Sequence, residues 1–294
     1  MNNAKESIFS KQPQTQVVDW IAVTFLSMIH LMAVAAIFYT IYIRFSWWTV
    51  VLTLIYWACS AISITGGYHR LFSHSTYKAH PWLELFYLIF GASAVQNSAL
   101  KWSMDHRRHH AVTDQEDDPY SVKKGFWWSH FIWVLFKTPH SQNIKATDLK
   151  NNPRVMWQYR NYVPLLVTTT FIIPPLLGWI WGDPLGALLW VAGLRLVFLY
   201  HSTWCINSLA HTIGSRPYSK KTTARDSAIT AIFALGEGYH NFHHTFQSDY
   251  RNGIKWYQYD PTKWFVSSME KVGLTRDLRR TPEKLIENAK QTTN

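Results

Sequence analysis

The chain has 294 residues, of which 48% are hydrophobic and only 16% are charged, against about 25% charged residues in a typical soluble domain. So apolar a composition excludes an intrinsically disordered chain, because enough surface can be buried to offset the loss of conformational entropy. The presence of only two cysteines excludes a disulfide-stabilised scaffold, whereas 14 histidines and 16 tryptophans are unusually many.

Four apolar runs are each long enough to cross a bilayer, which takes about 20 residues of helix. The predicted spans are residues 17–43, 47–67, 162–181 and 185–207. Short turns join them into two helical hairpins, and three prolines in the third run predict a bend there. We therefore predict an all-α integral membrane protein that forms a single domain over residues 1–294, with polar segments at 68–161 and 208–294.

Two apolar stretches of the middle segment are not expected to cross the membrane. Residues 81–100 are interrupted by three polar residues, which favours an interfacial or re-entrant helix. Residues 126–136 are too short to span, and their tryptophans and phenylalanines fit the membrane–water boundary. Near the C-terminal end, the Thr-Pro-Glu sequence of residues 281–283 predicts the start of a helix.

Positive charge is concentrated on one side of this predicted topology. Of the 29 lysines and arginines, 27 lie before residue 17, between residues 68 and 161, or after residue 207. Because tight hairpins bring these segments to one face, the positive-inside rule predicts that this face, with both termini, is cytoplasmic. The net charge of +11 would also attract anionic lipid headgroups. Nucleic-acid binding is not favoured, since no basic run or reader module occurs.

Nine of the 14 histidines fall into four clusters, in the polar segments or at the ends of spans. Within an HxxHH cluster the histidines lie at i, i+3 and i+4, which share one face of a helix. Two such clusters, an HxxxxH pair and an Asn-x-x-x-His pair at one membrane face predict metal binding. The candidate ligands are His69, His74, His106, His109, His110, His211, His240, His243 and His244, with Asn207 binding directly or through a water molecule.

The number of imidazoles indicates two metal ions, because a structural zinc site takes only four Cys or His ligands. Imidazole suits zinc, copper, iron and nickel, so the ligand type leaves the metal open. Asp105, Asp118 and Glu237 are candidates to orient the rings from outside the ligand set. Packing or polar contacts are expected for the remaining histidines, which are His30, His80, His130, His140 and His201.

The motifs HRLFSH, HRRHH, NSLAH and GEGYHNFHHTF, in this order among four spans, resemble those of the membrane fatty acyl desaturases of the stearoyl-CoA desaturase type. The resemblance covers residues 20–265, and the stretch RNGIKWYQYDPTKW resembles the bacterial branch, which would place the protein in a cell inner membrane. It implies a non-haem site of two iron ions, held by the nine histidines in a cytoplasmic helical cap, with Asn207 as a water-bridged neighbour. It also implies that O2 and two electrons are used to introduce a cis double bond, often at the delta-9 position, into a saturated acyl chain.

A bent hydrophobic tunnel that positions the reacting carbons is a further implication of the resemblance. A bulky Trp57 at its far end is expected to limit the length of the acyl chain. The resemblance assigns Trp57 and Ala61, one helical turn apart, to the far end, Gln96, Trp102, Thr203 and Trp204 to the bend, and Asn97 and Asp105 to the family pattern near the headgroup.

Met104 stands where acyl-CoA members of the family carry an arginine, two residues before HxxHH. A phosphate-rich headgroup favours Arg or Lys, so this departure leaves a phospholipid or an acyl carrier protein open as the acyl carrier beside CoA. The sequence contains no CxxC pair and no GxGxxG fingerprint. We therefore expect the electrons to come from a partner of the ferredoxin or cytochrome b5 type with its reductase, steered by the basic face.

Two rival functions stay open from the sequence. A histidine-box hydroxylase would use similar iron chemistry on a lipid or an alkane, and would return oxygen to the carbon after the first hydrogen abstraction instead of removing a second hydrogen. A membrane haem electron carrier or a metal transporter would place its histidines inside the spans. The observed clusters lie outside the spans or at their ends, which argues against this second rival.

Overall fold

Helices dominate the described part of the chain, residues 16–137 and 144–293 of a computed structural model. Four helical stretches within these residues are long and apolar enough to cross a membrane, which confirms the predicted all-α membrane architecture. These first to fourth spans are Trp20–Tyr42, Trp47–Ser73, Tyr162–Trp181 and Pro184–Thr212. The predicted position of both chain ends on one face involves residues outside the described ranges.

The second span is longer than its apolar run. The first span is a single helix, α1 (Trp20–Tyr42), and the second begins as α2 (Trp47–Ile62). It then continues as a π-helix over Ser63–Ser73, although the prediction ended it at residue 67. The polar side chains of His69 and Arg70 do not end the helix, because both are buried and hydrogen-bonded inside the protein.

The segment between the second and third spans is built from short helices. They are α3 (Pro81–Ala92), α4 (Ala99–Val112), α5 (Phe126–His130), α6 (Thr147–Lys150) and α7 (Pro153–Arg160), with 3-10 turns at Val122–Lys124 and Ile132–Leu135. The stretch 81–100, predicted as one interfacial or re-entrant helix, is α3 and the start of α4 with a turn between them. Residues 126–136 form only α5 and a 3-10 turn, too short to span, as predicted.

The third and fourth spans both change their hydrogen-bonding pattern along their length. The third span consists of α8 (Tyr162–Val167), a π-helix (Thr168–Ile172), α9 (Ile173–Gly178) and a 3-10 turn (Trp179–Trp181). The fourth consists of α10 (Pro184–Leu188), a π-helix (Leu189–Leu194) and α11 (Arg195–Thr212). Pro174 and Pro175 lie in the first turn of α9, just after the π-helix, where the N–H group that proline lacks has no α-helical partner to lose. The fourth span extends past its predicted end at residue 207 and so includes His211.

Short helices and loops follow the fourth span. The helices are α12 (Ala228–Phe233), α13 (His240–Thr245), α14 (Pro261–Lys271) and α15 (Glu283–Thr293). Two strands, β1 (Lys78–Ala79) and β2 (Thr275–Arg276), pair antiparallel and join this region to the end of the second span. Helix α15 starts at the predicted Thr-Pro-Glu sequence.

The π-helical part of the second span packs very closely on α3, because each helix places a glycine under an aromatic ring of the other. A Cβ atom on Gly67 would lie 2.6 Å from Tyr87, and one on Gly91 would lie 2.4 Å from Tyr68. Both tyrosine rings are fully buried. Any larger side chain at these glycines would separate the two helices, so the close approach fixes the end of the second span that carries His69.

The two hairpin turns meet at one end of the bundle, around the buried carboxylate of Asp183. Its oxygens accept hydrogen bonds from the hydroxyls of Tyr39, at 2.8 Å, and Thr49, at 2.6 Å. Arg44 of the first turn donates to the carbonyl of Gly182 in the second turn, at 2.8 Å. Side chains of the first hairpin therefore hold the turn of the second.

The opposite end of the first span is joined to the segment that follows α5 by two backbone hydrogen bonds. Asp19 N donates to Leu135 O at 2.8 Å, and Lys137 N donates to Val17 O at 2.8 Å. The carboxylate of Asp19 also caps α1 by accepting hydrogen bonds from the first backbone N–H groups of the helix.

We expect Asp183→Ala to lower the free energy of unfolding by about 1.5–3 kcal/mol, because it removes the charged acceptor of buried hydroxyls. Denaturant unfolding in detergent measures the change. The control is Asp277→Ala, which removes an exposed carboxylate and should leave the midpoint unchanged. An equal shift in both variants would mean that Asp183 does not join the hairpins.

Candidate metal centre

The nine predicted histidines come together in two groups. In the first, one ring nitrogen of each of five histidines lies within 4.8 Å of the others, and the second group has the same geometry with four histidines. The first group is His69, His74, His106, His110 and His243, and the second is His109, His211, His240 and His244. The division into five and four could not be read from the sequence.

The two HxxHH helices each contribute to both groups, in opposite proportions. Helix α4 gives His106 and His110 to the first group and His109 to the second. Helix α13 gives His243 to the first group, and its other two histidines to the second. The three histidines of a motif do share one helix face, but that face lies between two centres and serves both.

Carboxylates fix the position of the proton on one ring of each group. Nδ1 of His69 lies 2.9 Å from an oxygen of Glu237, and Nδ1 of His109 lies 3.1 Å from an oxygen of Asp118. Because an ionised carboxylate can only accept, Nδ1 must carry the proton and donate it. Nε2 of each ring is then unprotonated and able to bind a metal ion.

The Nε2 atoms of neighbouring rings converge on one another. Nε2 of His106 lies 2.8 Å from that of His74 and 3.0 Å from that of His110. Nε2 of His69, whose proton is on Nδ1, lies 3.0 Å from that of His243. Nε2 of His211 is buried and makes no hydrogen bond to any described residue. Converging buried lone pairs on imidazole suit a transition-metal ion, so the residues fit two metal ions.

The environment keeps these rings neutral. Burial is the main cause, and the charge of neighbouring rings adds to it, so that each pKa is well below its ordinary value. This holds for His74, His106, His110, His240, His243 and His244. A metal-binding histidine must be unprotonated, so these six rings can bind a cation without first losing a proton.

A buried ionic network supports Glu237. Arg70 donates to Glu237 and to Asp260, at 2.9 Å in both cases, and Asn252 donates to Glu237 at 2.6 Å. Burial alone would raise the pKa of Glu237, but the neighbouring His69 and Arg70 outweigh it and lower the pKa to about 2. Glu237 therefore stays ionised and keeps the proton of His69 on Nδ1.

Sequence reasoning missed Arg70, Asp260 and Asn252, and also the support of His211. Nδ1 of His211 lies 2.7 Å from the hydroxyl of Thr223, which donates to Asp114 at 2.6 Å. The only signal in the sequence was a charged residue, Arg70, directly beside a histidine at the end of an apolar run. Thr223 and Asp114 are 109 residues apart and belong to no common motif.

One cavity of about 570 Å³ connects the bilayer-spanning helices with the histidines. Its wall includes apolar side chains of the first span, such as Phe25 and Leu26, and it reaches His69, His109 and His240. The lining also contains six of the predicted substrate residues and the candidate ligand Asn207. These six are Gln96, Asn97, Trp102, Asp105, Thr203 and Trp204.

Trp57 and Ala61 are not among the described residues that line this cavity. Ala61 is buried in the main apolar core, one helical turn before Ile64 and Thr65, which do line it. Trp57 packs against this core and against Phe198, with ring centroids 5.9 Å apart. The assignment of these two residues to the far end of the tunnel stays a prediction.

The other described histidines lie outside both metal-binding groups. Nε2 of His130 lies 3.0 Å from Nδ1 of His201, and Nδ1 of His130 lies 2.9 Å from the hydroxyl of Ser208. His30 makes a hydrogen bond to the carbonyl of Leu26 at 2.7 Å. These are the polar contacts expected for them, while His140 lies outside the described residues.

Residues 45–277 match the fatty acid desaturase family. Acyl-CoA desaturase 1 of Saccharomyces cerevisiae is 45% identical over 240 residues, which cover 81% of this chain and 47% of the yeast protein. The delta(9)-fatty-acid desaturase fat-6 of Caenorhabditis elegans is 33% identical over 284 residues, covering 94% of this chain and 83% of the worm protein. Stearoyl-CoA desaturase 5 of Homo sapiens is 34% identical over 288 residues, covering 95% and 86%.

The chain therefore belongs to the fatty acid desaturase family, as its histidine motifs predicted. It spans about half the length of the yeast relative, and most of the length of the worm and human ones.

We expect Glu237→Gln to weaken metal binding about 10–100-fold, because the neutral amide no longer holds the His69 proton on Nδ1 as firmly. Metal content per protein, measured after dialysis against graded chelator concentrations, gives the change. Glu270→Gln, at an exposed position on α14, is the matched control. Equal metal retention in both variants would show that Glu237 does not orient a ligand.

Proposed function

We propose that this protein is a fatty acyl desaturase, which introduces a cis double bond at the delta-9 position of a saturated acyl chain. The observation that carries the proposal is the mostly apolar cavity that reaches both groups of histidines. Methylene C–H bonds offer no polar group for recognition, so an enzyme must select them by position and supply a strong oxidant. An apolar cavity can select the carbons by position, and a metal site at its end can supply the oxidant.

The balanced equation of the proposed reaction determines which reactants must reach the site. Two adjacent methylenes lose one hydrogen each and become a cis alkene, while O2 accepts four electrons and becomes two water molecules. Two of the electrons come from the two C–H bonds, and two come with two protons from outside. We propose a donor of the ferredoxin or cytochrome b5 type with its reductase, attracted to the basic side of the protein.

Iron is the metal we propose, because it binds imidazole and can react with O2 to supply the strong oxidant that methylene C–H bonds require. Two iron ions held by the nine histidines would supply the O2-derived oxidising power, and Asn207, one turn before His211 on α11, would hold a water molecule beside the second group. The chain's own residues then bind and orient the substrate. Trp102 stacks on His106 with ring centroids 5.0 Å apart, so it would press an acyl chain against the first group.

A hydrogen bond between two residues of the cavity wall supports a bent acyl chain. Gln96 Nε2 donates to the hydroxyl of Thr203 at 3.0 Å, and both residues line the cavity. This bridge joins the turn before α4 to the fourth span, and we propose that the acyl chain bends around it. A bent chain is the shape that a cis double bond keeps, which favours the cis product.

The topology and the acyl carrier complete the proposal. We place the histidine side of the protein and both termini in the cytoplasm, because 27 of the 29 lysines and arginines lie in the segments on that side. Acyl-CoA is the carrier we propose, since it appears in the names of the yeast and human relatives.

We expect the chain, expressed in a host without desaturase activity and fed saturated fatty acids, to form cis alkenes that mass spectrometry locates after double-bond derivatisation. His109→Ala and His243→Ala each remove a ligand from one group and should abolish the product, while His80→Ala, at an exposed position, should not. Hydroxy acids in place of alkenes would assign the protein to the hydroxylases. Full activity of either ligand variant would contradict the metal assignment.

We expect Trp57→Ala to shift the products toward longer acyl chains, because a smaller side chain would lengthen the tunnel beyond Ala61. Feeding a mixture of saturated acids of graded length and measuring the alkene from each gives the profile. Trp47→Ala, an exposed position at the start of α2, is the control that should keep the wild-type profile. An unchanged profile for Trp57→Ala would remove Trp57 from the tunnel.

A further inference from the structure

The turn that joins α3 to α4 is part of the cavity wall and has an unusual backbone. Val95, Gln96 and Asn97 of this turn line the cavity. Two of them are in the left-handed region, with φ of 56° for Val95 and 79° for Asn97. Asparagine tolerates this conformation, but a β-branched residue such as valine rarely adopts it. The turn is therefore strained, and the surrounding structure must hold it in place.

The fourth span supplies two of the holding contacts, both to backbone carbonyls of the turn. Arg195 is 2% exposed, and its Nη2 donates to Ser93 O at 2.9 Å. The hydroxyl of Tyr200 donates to Val95 O at 2.5 Å. The Tyr200 contact acts directly on the strained residue, because the acceptor is the carbonyl of Val95 itself.

The third span holds the same turn from another side. The hydroxyl of Thr170 donates to Ser93 O at 3.3 Å, and the hydroxyl of Tyr162 accepts from Asn97 N at 2.9 Å. Donors and acceptors on two spans thus determine the path of one short stretch of backbone. A turn can join two helices without such hydrogen bonds. Their number indicates that the position of this turn is important in itself.

The side of the turn that faces the cavity meets the region where the acyl chain would bend. Val95 packs against the apolar cluster that contains Leu26, Tyr200 and Trp204, and Trp204 also lines the cavity. Successive methylenes of an acyl chain are chemically alike. The reacting carbons differ from their neighbours only in their position along the cavity wall. The wall must therefore be held in place to within the length of one carbon–carbon bond.

We propose that residues 93–97 form a strained turn whose position, fixed by Tyr200 and Arg195, determines which pair of carbons faces the histidines. Tyr200 and Arg195 are positioning residues in this reaction: they act through the turn. The inference rests on the proposed desaturase function and adds to it the element that sets the position of the double bond.

Tyr200→Phe tests the inference, because it removes one hydroxyl and leaves the ring that packs against Val95. We expect the ratio of the main double-bond isomer to its neighbours to fall about tenfold, which is what the loss of one buried hydrogen bond amounts to. Tyr77→Phe is the matched control: it removes a buried hydroxyl that donates to Gly66 O at 2.7 Å and to the Tyr87 hydroxyl at 3.1 Å. Tyr77 neither lines the cavity nor contacts residues 93–97 through this hydroxyl, so the variant should keep the wild-type ratio. The ratio is measured on the products of the fed host, so a general loss of folded enzyme does not change it.

A second pair of variants tests the strain through thermal stability, a measurement that needs no bound metal or substrate. Val95→Gly and Val95→Ala both remove the two γ-methyl groups from the wall, and glycine also removes Cβ, but only glycine is relaxed at positive φ. We expect the glycine variant to have the higher Tm, by about 2–4 °C, which reverses the usual order of these two residues. Val95→Gly should also give a broader mixture of double-bond isomers than Val95→Ala. If Tyr200→Phe does not fold, this comparison of the two Val95 variants tests the inference in its place.

The outcomes separate the inference from the function on which it rests. A wild-type chain that forms no alkene in the presence of its electron donor would overturn the proposed function, and the inference with it. An active wild type with an unchanged isomer ratio in Tyr200→Phe would overturn the inference alone. A glycine variant at position 95 that is less stable than the alanine variant would also overturn it, because the turn would then hold no strain.

Discussion

The candidate site depends on where single protons lie on imidazole rings. A neutral ring carries one proton, on Nδ1 or on Nε2, and only the other nitrogen can bind a metal ion. Glu237 and Asp118 hold that proton on the outer nitrogen of His69 and His109, and the Thr223 hydroxyl does the same for His211. With the proton on the inner nitrogen, the converging rings would hydrogen-bond to one another and close the space in which a metal ion fits.

Several contacts elsewhere in the fold keep these protons on the outer ring nitrogens. A carboxylate buried beside a ring needs a counter-charge, and Arg70 supplies it from the residue next to His69. Arg70 is in turn held by Asp260, which lies 190 positions away in the sequence. The segment after the fourth span therefore belongs to the site as much as the histidine motifs do. The close contact of Gly67 with Tyr87 fixes the helix end from which both His69 and Arg70 project.

The sequence predicted the parts of this structure that depend on local pattern. Apolar runs gave the spans, and helical spacing brought the histidines of each motif to one face. The ends of the second and fourth spans were predicted too early, because His69 and His211 look like the end of an apolar run until the bonds that bury them are known. The division of each HxxHH motif between two groups depends on the path of its helix between the two centres, and the spacing of the histidines does not specify that path. Contacts between distant residues, such as Thr223 with Asp114, have no sequence signal at all.

The hydrogen bonds between the hairpin turns also have a mechanical consequence. Hydrogen bonds to Asp183 and from Arg44 hold the first span at this end of the bundle, and two backbone hydrogen bonds hold its other end beside the cavity. A helix that is held at both ends cannot tilt unless the hydrogen bonds at one end break. The first span is therefore a fixed wall of the cavity, and widening the cavity on that side requires the loss of the two backbone hydrogen bonds near Asp19.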